Sequence, residues 1–261
     1  MLKNLSALSL ITWLSLPSSA NAGAWLAKKD GGQLITNYYN YFSNLGFNDE
    51  GKLVSQDIFN KFSFNPYFEY GVHEDLTLGI SSSLEGINNN DSLKDTFNLS
   101  VGNTRIFGRT YVYNDEINHI SIEPALTIPS NSDNDLNSDG NKIIPEVKIS
   151  YGTNFGKDFF DIGVNYRIRT DNDLNDVLKS EVSYGYRLND EFTILGQVFN
   201  ETSLGDVDAA ENGNYDLTKI QLSGIWDKHK RISYHIGFSV DLLGRNTGAG
   251  IATFFTKTYK F

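Results

Sequence analysis

The last thirteen residues of the chain, 249–261, alternate between two kinds of side chain. One parity is mostly apolar or aromatic and ends on Phe261, whereas the other is mostly small or polar, and only Phe254 and Lys257 blur the pattern. Alternation with a period of two is typical of a β-strand whose two faces lie in different surroundings. A strand that ends the polypeptide on an exposed aromatic residue is expected to close a bacterial outer-membrane β-barrel.

The opposite end of the chain carries an export signal. The positive residue Lys3 precedes an apolar run at 5–16, and a small-residue cleavage pattern ends at Ala22. The run is shorter than the roughly 20 residues that a transmembrane helix needs. We therefore expect residues 1–22 to be a signal peptide that is cleaved after Ala22, and residues 23–261 to form one barrel domain.

The composition excludes several classes of protein. The chain has no cysteine, so neither a disulfide framework nor a thiolate metal site is proposed. Its mean hydropathy of -0.34 is too polar for a helical membrane protein but suits a barrel in which every second strand residue faces a polar lumen. The net charge of -10 argues against binding of nucleic acid, because phosphates would be repelled.

Turn signals divide the mature chain into twelve alternating segments. The predicted strands are 33–42, 57–70, 76–84, 96–113, 119–128, 142–153, 158–169, 176–188, 191–200, 215–227, 231–242 and 249–261. Short connectors alternate with longer polar loops such as 85–95 and 129–141, an asymmetry that is typical of periplasmic turns and extracellular loops. The sequence thus predicts an all-β fold, a transmembrane antiparallel up-and-down β-barrel of about twelve strands.

Alternate residues within each predicted strand belong to opposite faces. In segment 231–242 an apolar parity is expected to face lipid, and the parity that contains His235 is expected to face the lumen. The phase slips between Val101 and Ile106, which we interpret as a bulge near Asn103 or a wrong register. A soluble β-sandwich also alternates, but nothing in it requires an export signal, a final aromatic residue and two-sided loop asymmetry together.

The parity assignment predicts a charged lumen with ten basic and six acidic residues. The predicted pore-lining residues are Arg105, Arg109, Glu123, Glu146, Lys148, Asp161, Arg167, Arg169, Lys179, Glu181, Arg187, His235 and Asp241. Rings of Lys and Arg favour anions, so we predict a passive or substrate-selective channel for small polar or anionic solutes, determined chiefly by the arginines at 105, 109, 167 and 169. The alternative is that these acids and bases pair and fill the barrel without conduction.

The loop after the fifth predicted strand matches a calcium-binding pattern. The candidate ligands are Asp135, Asn137, Asp139 and Glu146. Alternating hard oxygen ligands around a glycine turn suit Ca²⁺. No helical pattern flanks the loop, however, and Glu146 is expected on a lumenal strand, so a plain solvated loop is the alternative and no cofactor is assigned.

A lipid-modifying enzyme and a structural or adhesin barrel are the alternatives to a channel. His235 is the histidine that falls well within a predicted strand, and Ser233 and Ser239 share its face. These residues form no recognised triad, and the sequence lacks the G-x-S-x-G motif of one large hydrolase class. We therefore assign no catalytic residue and predict that the protein is not an enzyme.

Short motifs in the first third of the mature chain carry a family resemblance. They are Gly23-Ala24-Trp25, Gly32-Gln33-Leu34-Ile35, Phe47-Asn48-Asp49-Glu50-Gly51-Lys52, Glu69-Tyr70-Gly71-Val72 and Leu76-Thr77-Leu78-Gly79. The chain resembles an uncharacterised family of Gram-negative outer-membrane β-barrel proteins, similar to those labelled as meta-pathway phenol-degradation or transporter barrels. The resemblance implies a location in the bacterial outer membrane and brings no catalytic residue.

The expected partners follow from this fold. They are outer-membrane lipids and lipopolysaccharide, the barrel-assembly machinery acting through the C-terminal strand, and a small solute, with no nucleic acid and with a monomeric barrel. Trp25 precedes the first predicted strand, and we expect it either to anchor there or to plug the periplasmic mouth.

Overall fold

A computed structural model describes residues 23–91, 94–130, 142–170, 174–205, 214–229 and 231–261, with the backbone alone at 89–91 and 94–98. These ranges contain fourteen β-strands. They are β1 (Gly32–Phe47), β2 (Leu53–His73), β3 (Leu76–Ser81), β4 (Leu84–Asp91), β5 (Lys94–Val101), β6 (Thr104–Asn114), β7 (Asn118–Ile128), β8 (Ile144–Phe155), β9 (Asp158–Arg167), β10 (Asp176–Arg187), β11 (Phe192–Leu204), β12 (Asp216–His229), β13 (Ile232–Arg245) and β14 (Thr247–Lys260). No helix in the described ranges is long and apolar enough to cross a membrane.

All strands except β4 and β5 close into one antiparallel barrel. The wall runs from β1 through β2, β3 and β6 and then in sequence order from β7 to β14, which pairs with β1. Closure pairs the backbone N–H and C=O groups of every wall strand with a neighbour, as a sheet surrounded by lipid requires. The predicted all-β barrel of twelve wall strands is confirmed.

Two predictions for the region after β3 are wrong. The predicted loop at 85–95 contains β4, and the predicted strand at 96–113 is divided at Gly102 and Asn103 into β5 and β6. The β4–β5 hairpin pairs with β2 beyond the end of β3, so that Phe62 lies opposite Gly86. The expected bulge near Asn103 is a break between strands, and the irregular pairing in β6 lies between Tyr111 and Tyr113.

The two ends of the barrel differ in their connectors. One end carries Phe261 and the short connectors β2–β3, β6–β7, β8–β9, β10–β11 and β12–β13, and we call it the turn end; the opposite end is the loop end. At the loop end the strands are longer than predicted. β1 continues to residue 47, and β13 and β14 are separated by Asn246 alone, whose φ of 50° permits the tight reversal.

The two faces of the wall have opposite character. On β13, Ile236 and Phe238 point outward and are 66% and 49% exposed, whereas His235 and Ser239 on the other parity are buried. The same division holds on β14, where Phe255 is exposed and Phe254 is buried. An apolar outer surface around a polar interior is the arrangement of a transmembrane barrel, and the predicted parity of these strands is confirmed.

Phe261 completes the ring of strands at the turn end. Its N–H donates to the Gly32 carbonyl oxygen at 3.1 Å, and its own carbonyl oxygen accepts the Gly32 N–H at 3.0 Å. The Phe261 ring lies outside the wall and stacks on Phe68 and Tyr259, with centroids 5.9 and 6.3 Å apart. Exposed aromatic rings at a barrel rim suit the interfacial girdle of such proteins.

Candidate functional site: an occluded, charged lumen

The residues that precede β1 turn back into the barrel. We call residues 23–31 the N-terminal segment; its Ala24 is fully buried. Three of its backbone N–H groups donate to wall side chains: Ala24 to Asp161 Oδ2 at 2.9 Å, Leu26 to Tyr111 Oη at 3.0 Å and Ala27 to Thr77 Oγ1 at 2.9 Å. These partners lie on β3, β6 and β9, so the segment crosses the lumen.

Trp25 fills the space beside this crossing. Its indole meets Phe159 edge-on with centroids 6.4 Å apart, and it packs against the buried apolar cluster that contains Phe159. Arg109 Nη1 donates to the Trp25 carbonyl oxygen at 2.9 Å. Of the two positions expected for Trp25, the structure has the one inside the barrel.

The far end of the N-terminal segment is fixed to β2. The N–H groups of Asp30 and Gly71 donate to the carbonyl oxygens of Gly71 and Gly31, each at 2.9 Å. Asp30 has a φ of 62°, which reverses the chain from the lumen into β1. A Cβ on Gly71 would lie 2.2 Å from the Lys28 carbonyl oxygen, so this close approach requires glycine.

Six charged side chains form a continuous ion-pair chain across β2, β6, β7, β8 and β9. Its contacts are Glu69–Arg109 at 3.4 Å, Arg109–Glu123 at 2.6 Å, Glu123–Arg105 at 2.7 Å, Arg105–Glu146 at 3.1 Å and Glu146–Arg167 at 2.9 Å. Three carboxylates balance three guanidinium groups, and all except Arg105 are buried. Each of these three arginines therefore faces a carboxylate rather than open lumen.

Further lumenal charges pair outside this chain. The contacts are Lys148–Glu181, Lys179–Glu201 at 2.8 Å, Lys219–Asp241 at 3.7 Å and Lys61–Glu85 at 2.8 Å. Sequence reasoning missed Glu201 because the predicted strand ended at residue 200, whereas β11 continues to residue 204. It missed Glu85 because the β4–β5 hairpin was predicted to be a loop.

The other two predicted arginines lie at opposite ends of the barrel. Arg169 follows β9 near the loop end, and its N–H donates to Asp176 Oδ1 at 2.9 Å. Arg187 ends β10 at the turn end, and its guanidinium lies 5.5 Å from the centre of the Phe159 ring. The predicted arginines therefore do not form one ring around the lumen.

His235 is buried on the lumenal face of β13. Its Nε2 lies 2.6 Å from Ser223 Oγ, and its ring meets Phe254 edge-on. Ser233 and Ser239 form hydrogen bonds with Asp227 and Tyr39 instead. The structure does not bring the histidine and these two serines together as a triad.

The Glu146 carboxylate accepts hydrogen bonds from four side chains, two of which are cationic. Its Oε1 accepts hydrogen bonds from Arg167 and Thr127, and its Oε2 accepts from Arg105 and Asn165. A carboxylate held in this way is not placed to ligate calcium. The other three candidate ligands, at 135, 137 and 139, lie outside the described residues, and no group of three or more His, Asp or Glu side chains in the described ranges could hold a metal ion.

A cavity of about 230 Å³ remains at the turn end of the lumen, beside the N-terminal segment. Its lining comes from β1 and from β9 to β14, and it is mostly polar: Gln33, Arg187, Thr193, Asp227, Ser233, His235, Thr258 and Lys260 with Phe159 and Ile225. Phe159 also contacts Trp25, so the cavity and the segment share a wall. The cavity is large enough for several water molecules or a small solute.

Comparison with known proteins identifies the architecture. No protein-family model and no curated protein matches the sequence. Among solved structures, the COG4313 outer membrane channel from Pseudomonas putida F1 superposes with a TM-score of 0.75 at 15% identity, covering 93% of this chain and all of that one. This chain has the fold of an outer-membrane β-barrel.

Two further structures share the barrel. The NanC porin superposes with a TM-score of 0.58 at 11% identity, over 88% of this chain and all of that one. The translocator domain of the autotransporter NalP from Neisseria meningitidis gives 0.54 at 9% identity, over 88% of each chain. These proteins are described by different functions. The likeness therefore establishes the fold, and any solute has to be inferred from the chemistry of the lumen.

Proposed function

We propose that this protein is an outer-membrane channel for small polar or anionic solutes, and that its N-terminal segment occludes the lumen. The observation that carries the proposal is a polar lumen that contains a cavity and is crossed by a segment outside the β-sheet. The segment is held by three backbone-to-side-chain hydrogen bonds, one arginine contact and the packing of Trp25. Such contacts can be exchanged without opening the wall.

The charge pattern supports weak rather than strong preference for anions. Arg105, Arg109 and Arg167 are balanced by the carboxylates of the ion-pair chain. The charged residues that line the cavity at the turn end are two basic ones, Arg187 and Lys260, and one acidic one, Asp227. Basic residues in a narrow lumen favour anions, so the cavity is where we place the selectivity.

Planar-bilayer recording tests the channel. The mature chain 23–261 and a variant that lacks residues 24–29 are refolded and inserted, and we expect unitary conductance to rise several-fold in the deletion variant because the obstruction is removed. Trp25→Ala should act in the same direction. Trp226→Ala is the matched control, because Trp226 lies on the exposed face of β12 and should leave the conductance unchanged.

The outcome separates a channel from a filled barrel. If the deletion variant keeps the heat-modifiable mobility of a folded barrel and still shows no conductance, the proposal fails and the lumenal charges fill a structural barrel. In a conducting variant, the reversal potential in a salt gradient should indicate weak anion preference, and Arg187→Gln should reduce it.

We also propose the route to the membrane. The chain is exported with a signal peptide that is cleaved after Ala22, and the barrel-assembly machinery recognises β14, whose outward parity carries Phe255 and Tyr259 and is followed by Phe261. Lipid and lipopolysaccharide then cover the apolar outer face, and the barrel works as a monomer. Outer-membrane fractionation with N-terminal sequencing of the purified protein tests this proposal, and a chain that begins elsewhere than at Gly23 would contradict the cleavage site.

A further inference from the structure

Asp161 is a buried carboxylate without a cationic partner among the described side chains. It lies on the lumenal face of β9, is 4% exposed, and accepts the Ala24 N–H at its Oδ2. No Lys, Arg or His nitrogen of the described ranges lies within ion-pair distance of it, whereas the lumenal carboxylates around it are paired. An ionised carboxylate that is removed from water in this way is costly unless a cation balances it.

The neighbouring charges do not supply that balance. Lys148 pairs with Glu181, and this pair lies next to Asp161: a Cβ on Gly163, two residues along the same face, would be 2.9 Å from Lys148 Cε and 3.1 Å from Glu181 Oε1. Two carboxylates and one ammonium group therefore leave one negative charge. Either a proton or a further cation can balance this charge at Asp161.

Gly23 brings a nitrogen atom to this carboxylate. A Cβ on Gly23 would lie 1.9 Å from Asp161 Oδ2 and 2.3 Å from Oδ1, so the Gly23 Cα lies directly against both oxygens. The amino nitrogen is bonded to the same Cα and lies about 2.5 Å from a Cβ position there, which places it within roughly 4.4 Å of Oδ2. A side chain at this position would collide with the carboxylate, so the site accepts glycine.

We propose that the Asp161 carboxylate is a binding site for a primary ammonium group, and that its ligand is the α-ammonium of Gly23. Before cleavage that nitrogen is a neutral amide of the Ala22–Gly23 peptide bond. Hydrolysis by the signal peptidase consumes one water, leaves a carboxylate on Ala22 and an amine on Gly23, and the amine takes up a proton because its pKa is about 8. Removal of the signal peptide thereby creates the cation that holds the N-terminal segment in the lumen.

The inference requires the proposed cleavage site and the position of the segment, and it does not require conduction. Its test therefore follows the segment directly. The mature chain contains two tryptophans, Trp25 and Trp226. In a Trp226→Phe background, quenching of Trp25 fluorescence by acrylamide reports whether the segment is seated in the lumen.

Three full-length mature chains are compared in this background after refolding. One begins with the free Gly23 amine, one is acetylated at that amine, and one carries an extra alanine before Gly23. Acylation near pH 7 in denaturant favours the α-amine over lysine, because their pKa values are about 8 and about 10.4. We expect the free chain to resist acrylamide and the two blocked chains to be quenched several-fold more strongly.

The Asp161→Asn chain identifies the carboxylate as the partner. It should be quenched strongly whether or not its α-amine is acetylated, because the substitution has already removed the ion pair. Asp49→Asn, at an exposed position in the β1–β2 loop, is the matched control and should resemble the parent. Should Asp161→Asn not fold, the acetylated chain with an unaltered barrel still decides the result.

Two results overturn the inference. The first is equal quenching of free and acetylated chains, which would show that the amine does not hold the segment. The second is an acetylation effect of the same size in Asp161→Asn, which would assign the amine to another partner. Failure of the channel proposal gives a different result. If acetylation releases the segment but the chain still does not conduct, the channel proposal fails and the ion pair between Gly23 and Asp161 is still supported.

Discussion

At the scale of single residues, glycine determines how closely the N-terminal segment approaches the wall. A Cβ on Gly152 would lie 2.8 Å from the Trp25 ring and 2.9 Å from Ala24 Cβ. Real Cβ atoms essentially never make contacts under 3.0 Å, and neither the half-buried indole, which packs against the Phe159 cluster, nor an alanine methyl group can swing away. The lack of a side chain at Gly152 on β8 therefore allows the N-terminal segment to lie against the wall.

Gly152→Ala should dislodge the segment. The added methyl group overlaps Trp25 and Ala24, and overpacking of this kind costs about 1–3 kcal/mol, which is enough to shift the segment while the wall strands stay paired. We expect higher unitary conductance and stronger acrylamide quenching of Trp25. Gly196→Ala is the control, because a Cβ there meets no atom within 4 Å; equal behaviour of the two variants would contradict the close approach of the segment to Gly152.

At the scale of strands, the sequence predicted those parts of the wall that touch lipid. β13 and β14 have one apolar parity and one polar parity, so alternation located them to within a few residues. The first six residues of β2, 53–58, are exposed on both parities, and the β4–β5 hairpin pairs with β2 from Ile58 to Phe64. Backbone hydrogen bonds hold such extensions together without an apolar face, and alternation cannot detect them.

The lumenal site was predictable to a similar degree. Parity placed the charged residues on the inner face, but it could not decide which acid meets which base. Arg109 on β6 contacts both Glu69 on β2 and Glu123 on β7, and alternation within a strand carries no information about such contacts between strands. The N-terminal segment shows no alternation, so its path could not be predicted. The sequence indicated only that Trp25 either anchors before the first strand or plugs the periplasmic mouth.

The β4–β5 hairpin should be dispensable for closure of the barrel. β3 pairs directly with β6, and the hydroxyl oxygens of Ser82 and Thr104 lie 3.2 Å apart below the hairpin. Replacing residues 83–103 by Asn-Gly, a favoured two-residue hairpin turn, should leave a folded barrel with heat-modifiable mobility on gels. Loss of that mobility would show that the hairpin is needed to join β3 to β6.

At the scale of the whole molecule, charge is divided between the inside and the outside. The chain carries a net charge of -10, yet the ion-pair chain across β2, β6, β7, β8 and β9 is neutral. These five strands form a large part of the wall, so the ion-pair chain connects distant strands through the lumen. Buried pairs contribute little relative to an apolar filling, but leaving one partner unpaired is costly.

Glu123→Gln should therefore lower the global stability of the barrel. Glu123 contacts Arg105 and Arg109, and its loss leaves the buried Arg109 and the half-buried Arg105 short of a carboxylate, at a cost of about 3–5 kcal/mol. Equilibrium unfolding in lipid vesicles with urea measures this change. The control is Glu50→Gln, because Glu50 pairs with Lys52 at an exposed site where the cost is less than about 1 kcal/mol. Equal stability of the two variants would mean that water entering the lumen compensates the arginines, and that the ion-pair chain does not stabilise the wall.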